Sequence, residues 1–262
     1  MFELSDIRRI SMVGTGNVAT HLARVLTKAQ VRIIDIYSPQ QAHAKTFSLS
    51  FGCHIASSLQ ELSTDTDLIL LCVPDNQVSA VGAQLSPGSA IIAHTSGIVG
   101  LDKLQVGNAK TGVFYPLQTF SKQRIVDFSN VPMCIESNDA ETFGKLTQLA
   151  YKISNKVVAI SSPEREILHL TAVMVNNFTN MLYGMAHDIL DNHELSFDLL
   201  LPLIRETASK VMEMKPAEAQ TGPARRNDDL TMTRHMELLD KFPHYREIYQ
   251  LITDHIIKKY HE

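Results

Sequence analysis

The sequence predicts an α/β fold: a doubly wound, mostly parallel sheet over residues 1–161, followed by an all-helical domain over residues 162–262. Three observations predict it. Short apolar runs alternate with helical patterns through the first part of the chain, a glycine turn joins the first run to the first helix, and the strand-like runs stop after Ser161.

In order, "RRISMVG", "VRIIDIYS", "DLILLCVP", "SAIIAHTS", "TGVFYP", "VPMCIES" and "KVVAIS" are rich in Ile, Val and Leu. Runs of this kind suit strands covered on both faces. Between the first two lies "NVATHLARVLTKAQ", whose Val18, Leu22, Val25 and Leu26 form the stripe of a helix packed on a sheet. The pattern changes at "SSPEREILHL", where Ser162 can cap, Pro163 suits the first turn, and Glu164 and Glu166 favour the positive helix start. A helix is expected from there to about Leu190. Three more follow, in "FDLLLPLIRETASKVMEM", "DDLTMTRHMELLD" and "PHYREIYQLITDHIIKKY", with "KPAEAQTGPARRND" as a loop among them.

Gly14-Thr15-Gly16-Asn17-Val18-Ala19 reads as G-x-G-x-x-A between a strand and a helix. Gly14 permits the tight turn, Gly16 admits a pyrophosphate to the backbone, and Ala19 lets helix and strand pack closely. The free amides of the helix start favour an anion. This is the fingerprint of a Rossmann-type dinucleotide site, with Gly14, Thr15, Gly16, Asn17 and Val18 as cofactor-binding candidates. At the end of the second strand, where NAD enzymes place an acid, stand Ser38 and then Pro39-Gln40-Gln41. Such neutral residues would not repel a 2′-phosphate, so NADP is expected in preference to NAD. Asp35 is the counter-candidate, but it falls within the strand. Strand ends line the crevice in such sheets, so Cys72, Val73, Pro74 and Thr95 are expected at the cofactor, with Ser96 and Gly97 facing nicotinamide or substrate.

In the long helix, "HLTAVMVNNFTN" carries His169, Asn176, Asn177 and Asn180 among apolar residues. On an unbroken helix His169, Asn176, Asn180 and His187 share one face. A buried amide without partners costs about 1–3 kcal/mol, so this face needs a reason. It either packs against a helix or a partner subunit, lies in solvent, or turns toward the nicotinamide. The third alternative makes His169 a general acid and Asn176 and Asn177 substrate-orienting groups. Arg225, on the Gly-Pro loop, suits a substrate carboxylate or phosphate.

The 262 residues are 44% hydrophobic and 20% charged, with a formal net charge of −4 and no long run of one sign. That speaks against a nucleic-acid partner. No apolar run is long enough for a membrane helix and "MFELSDIRRISMVG" has no apolar core, so a cytoplasmic protein is expected. Three separated cysteines fit reduced thiols, and the 11 histidines show no metal-ligand spacing, so no metal is expected.

"VGTGNVATHLA", "IYSPQQA", "LILLCVPDNQV", "IIAHTSG" and "VFYPLQTF", followed by "REILHLTAVMVNNF", "LLPLIRE" and "TGPARRND", resemble a family of two-domain predicted oxidoreductases. In that family a Rossmann-like NADP-binding domain is joined to a helical domain of unknown function. More distantly the layout is similar to pyrroline-5-carboxylate reductases, deazaflavin-dependent NADP reductases and β-hydroxyacid dehydrogenases. The resemblance implies nicotinamide binding and hydride transfer but supplies no substrate; a small carbonyl or imine acceptor is the expectation drawn from the sequence as a whole. "VFYP" brings Pro116 to the substrate side. The chain departs from its better-known relatives in three places. Ala172 and Val173 stand where β-hydroxyacid dehydrogenases carry a catalytic lysine, the serine–glycine-rich helix start of pyrroline-5-carboxylate reductases is absent, and Tyr115 replaces the family's histidine before proline. The apolar helical domain points to a homodimer. The alternative reading is a non-catalytic dinucleotide-binding sensor or interaction module, which the missing lysine favours.

Overall fold

The alternating segments fold into β1 (Arg9–Val13), α1 (Asn17–Lys28), β2 (Arg32–Tyr37), α2 (Gln41–Phe51), β3 (His54–Ile55), β4 (Leu68–Leu71), α3 (Val78–Gly82), β5 (Ile91–His94), β6 (Thr111–Pro116), β7 (Met133–Ser137), α4 (Ala140–Tyr151) and β8 (Val157–Ala159). This computed structural model describes residues 6–104 and 106–261. The eight strands form one sheet in the order β3-β2-β1-β4-β5-β6-β7-β8. Every pairing is parallel except β6 with β7. The reversal has a local cause: between these two strands the chain forms only a short 3-10 turn, Phe128–Asn130, and doubles back instead of crossing over through a helix. The two-residue β3 had no counterpart among the apolar runs, because it is too short to show a period.

Parallel pairing explains the unbroken apolar strands. In β4, Leu68 and Leu70 join the core on one face of the sheet, with α1's Leu22 and Leu26, while Ile69 and Leu71 join the core on the other. Each such fully buried side chain contributes on the order of 1.5–3 kcal/mol. The same parallel register brings the ends of β1, β4, β5 and β6 to one edge of the sheet.

After β8 comes α5 (Ser162–Val173). Its cap is Ser161 rather than Ser162: the Glu164 carboxylate accepts from the Ser161 amide at 2.9 Å and from its hydroxyl at 2.5 Å. Ser162 is freed for another task, described below. The chain divides into two units at Asn177/Phe178, so α5 belongs with the sheet, although the change from strand to helix pattern falls near residue 161.

The expected unbroken helix to Leu190 is interrupted. Met174–Phe178 forms a π turn, and α6 (Thr179–Asn192) follows. A π turn inserts an extra residue into the helical count. The spacing that places His169, Asn176, Asn180 and His187 on one face presumes its absence, and that inference is withdrawn.

The second unit continues with α7 (Leu201–Glu213), α8 (Pro216–Ala219), α9 (Pro223–Arg226), α10 (Asp229–Leu238) and α11 (Pro243–His261). The stretch read as a loop, "KPAEAQTGPARRND", holds the two single-turn helices α8 and α9, each begun by a proline. Asp228 caps α10 by accepting from the Thr231 amide at 3.1 Å. Among the described residues, no helix is long and apolar enough to cross a membrane.

Candidate active site at the strand ends

The glycine turn follows β1 directly. Gly14 has φ +101°, and a Cβ there would lie 2.3 Å from the Cys72 carbonyl oxygen. Only glycine meets both demands. Gly16 differs: a Cβ on it would meet nothing within 4 Å. Gly16 begins α1, which has no side-chain cap and no acid in its first turn. The first intrahelical bond is Thr20 N–H to the Gly16 carbonyl at 3.0 Å, so the amides of residues 17–19 precede the helical ladder. Free amides, open space and the positive end of a 12-residue helix fit a pyrophosphate.

Asn17 contributes its backbone to that group, but its side chain is engaged. Its Nδ2 donates to the Phe120 carbonyl at 2.8 Å, tying the segment after β6 to the phosphate turn. Phe120 also lies against the His21 ring, 4.8 Å between centroids. Val18 is half-buried beside the core.

At the ribose position, Ser38 is buried and meets the Thr15 hydroxyl at 3.4 Å. Asp35 is 2% exposed; its carboxylate accepts from the Ser11 hydroxyl and the Ser63 amide and meets His54 Nδ1 at 3.1 Å. It ties β2 to its neighbours and leaves no acid at the strand end.

Cys72 follows β4, and its amide donates to the Val13 carbonyl at 2.8 Å. Burial pushes its thiol up to about 12, which leaves it uncharged. Val73 and Pro74 lead into a 3-10 turn, Asp75–Gln77. Thr95 is tied to the Leu71 carbonyl through its amide at 3.1 Å and its hydroxyl at 3.3 Å. Ser96 accepts from the Ile98 and Val99 amides at 3.2 and 3.0 Å, the pattern of a residue that forms a turn.

His94 closes β5 and is 0% exposed. Its Nδ1 accepts from the Ser96 amide at 3.2 Å, so the ring proton sits on Nε2, which has no partner among the described residues. Burial, and then the Arg165 charge, push His94 down to about 3. It is a neutral ring that shapes the strand end.

Gly97, Tyr115 and His169 converge. A Cβ on Gly97 would lie 2.6 Å from His169 Nδ1 and 2.9 Å from Tyr115 Cζ. The Tyr115 hydroxyl stands 3.3 Å from His169 Nδ1. Burial pushes the Tyr115 phenol up to about 12, so it keeps its proton. The pair lines a cavity of about 340 Å³ whose walls come from residues 115–119 and from α5 with the π turn, including Asn176 and Asn177. The Asn176 Nδ2 donates to Asn177 Oδ1 at 3.3 Å. Pro116 is buried at the end of β6.

One turn before His169, Arg165 is 0% exposed. Its guanidinium pairs with the Glu136 carboxylate and donates to the Val99 carbonyl at 2.5 Å. The Ser162 hydroxyl donates to Glu136 at 2.8 Å and accepts from the Leu101 amide at 2.9 Å. This cluster fixes α5 to β7 and to the turn after β5. Sequence reasoning left Tyr115, Glu136, Ser162 and Arg165 off the site. The available signal was an arginine one helical turn before His169. Arg225 lies in the second unit, its guanidinium 4.4 Å from the Tyr260 ring centroid.

Comparison with known proteins identifies the family and the fold. Residues 9–97 match the family described as NADP oxidoreductase, coenzyme F420-dependent, and residues 131–256 match a domain of unknown function, DUF2520. A Bacteroides fragilis protein described as a predicted NADP oxidoreductase is 35% identical, with TM-score 0.89 over 97% of this chain and 98% of its own. The chain belongs to this NADP oxidoreductase family. As a member, the oxidoreductase is an NAD(P)-dependent enzyme. Pyrroline-5-carboxylate reductase from Streptococcus pyogenes shares its fold at 13% identity and TM-score 0.63, over 95% of this chain and 98% of its own. So does the imine reductase from Myxococcus stipitatus, a complex with NADP+, at 12% identity and TM-score 0.62, over 95% and 92%. None of the curated proteins matches the oxidoreductase.

Proposed function

We propose that the oxidoreductase reduces a small C=O or C=N compound with NADPH, the proton arriving from the Tyr115–His169 pair. The observation that carries this reading is the convergence of Tyr115 and His169 on one cavity at the strand ends, with Gly97 packed against both rings. When bound, the nicotinamide supplies a hydride, two electrons and one proton, to the acceptor carbon, and the acceptor's heteroatom takes a second proton. Tyr115 keeps its proton at neutral pH, so it can donate to the heteroatom or re-protonate His169. Gly16 and the amides of residues 17–19 would hold the pyrophosphate, and Cys72–Pro74 and Thr95 would flank the rest of the cofactor. Asn176 and Asn177 would orient the acceptor.

NADP is favoured over NAD because Ser38 directly follows β2 and Asp35 is committed inside the sheet. The free cysteines suit a reducing cytoplasm. The helical unit would pair with a second copy. Nicotinamide fluorescence titration tests the premise: NADPH should bind at least tenfold tighter than NADH, and Ser38→Asp should narrow that ratio. NADPH consumption against small aldehydes, ketones and cyclic imines tests the chemistry. His169→Ala should lower kcat at least a hundredfold with NADPH affinity retained. Full turnover in His169→Ala would remove the pair from the mechanism.

A further inference from the structure

We propose that the cavity beside Tyr115 and His169 takes an uncharged, largely apolar aldehyde, ketone or cyclic imine and discriminates against acceptors bearing a carboxylate or phosphate. This rests on the reductase reading above and adds the substrate class. The argument is one of charge. No lysine, arginine, aspartate or glutamate lines the cavity among the described residues. Its walls are apolar at Leu117, Leu168, Ala172, Val173 and Val175, and its polar groups are neutral amides and hydroxyls apart from His169. An anion taken out of water without a cation or a set of donors loses its hydration uncompensated.

The buried cation on α5 is Arg165, and both of its terminal nitrogens are engaged. Its guanidinium faces Glu136 and the Val99 carbonyl, and it is 0% exposed. Its charge reaches Tyr115 and His94, but with Glu136 as counter-ion and no exposed surface it gives an anionic acceptor no direct contact. His169 is the one remaining group able to carry positive charge, and in the reducing direction its proton passes to the acceptor's heteroatom. A cavity of about 340 Å³ equals on the order of ten water volumes, which suits an acceptor of about ten heavy atoms. Ligand sites of this class are mostly apolar with a few placed polar groups.

Matched acceptors test the inference on the full chain. The probes are 2-methyl-1-pyrroline against 1-pyrroline-2-carboxylate, cyclohexanone against 4-oxocyclohexanecarboxylate, and benzaldehyde against 4-carboxybenzaldehyde, each followed by NADPH consumption. The neutral member of each pair should show kcat/KM at least tenfold above its carboxylate partner. Val173→Arg, which adds a cation to the wall, should reduce or invert that ratio at least tenfold. Carboxylates turned over as well as, or better than, their neutral partners would overturn the inference and leave the reductase reading standing. NADPH bound but never consumed with any probe would overturn the reductase reading, and the inference with it. If Val173→Arg melts early, the wild-type pairs still decide. An unchanged ratio in a well-folded Val173→Arg would show that the acceptor sits elsewhere.

Discussion

Two glycines two residues apart in the phosphate turn do different work. Gly14 is held by φ +101° and by the Cys72 carbonyl, so Gly14→Ala must strain the backbone and push β1 from β4. A stability loss of about 2 kcal/mol or more is expected in urea unfolding. Gly16 faces open space, so Gly16→Ala should fold with an unchanged Tm and bind NADPH at least tenfold more weakly. A Gly16→Ala protein that binds NADPH normally would take the pyrophosphate away from this turn. His94 carries a second prediction. Its folded pKa lies near 3, below the usual 6.5, so between these values the unfolded chain binds a proton that the folded chain does not. The stability is fully present above about pH 6.5 and is lost as pH falls toward 3. The slope from this group is about 1.4 kcal/mol per pH unit. His94→Asn, which can still accept from the Ser96 amide, should unfold with a shallower dependence between pH 6.5 and 5. Equal slopes in both proteins would show that His94 titrates normally.

At the scale of elements, the sheet was legible because parallel strands buried on both faces need long-range apolar runs, and "LILL" and "IIAH" supply them. The glycine turn was legible because its chemistry demands fixed residues at fixed offsets. The antiparallel β7 was not, since an apolar run carries no direction. Nor was the π turn, because one inserted residue leaves no mark in a hydrophobic period. The site was half legible. His169 and Asn176 stood out as polar residues in an apolar helix, whereas Tyr115 and Glu136 gained meaning only from which strands lie side by side. What fixes α5 is the Arg165–Glu136–Ser162 cluster. Arg165→Met should strand the Glu136 carboxylate and cost about 3 kcal/mol in unfolding of the sheet-bearing unit. A loss below about 1 kcal/mol would show that the apolar contacts of α5 hold it without the ion pair.

At the scale of the molecule, the second unit is short of core. None of the 13 residues of α7 is buried, and Leu203 and Met212 are 62% and 84% exposed. A helix of this length is marginal alone in water, and an apolar surface of this kind is costly to leave bare. A homodimer in which a second copy covers α7 is the expected form. Sedimentation should give twice the 29.2 kDa chain mass, with Leu203→Glu and Met212→Glu together shifting it toward the monomer. A wild-type monomer at micromolar concentration would overturn this. The link between Asn17 and Phe120 has a consequence for timing. Whatever settles on the phosphate turn stiffens the strip that forms one side of the acceptor cavity, so the acceptor should enter a finished site only after the nucleotide. Steady-state kinetics should therefore be compulsory-order, with NADP+ competing against NADPH alone, and Asn17→Ala should loosen that order toward random entry.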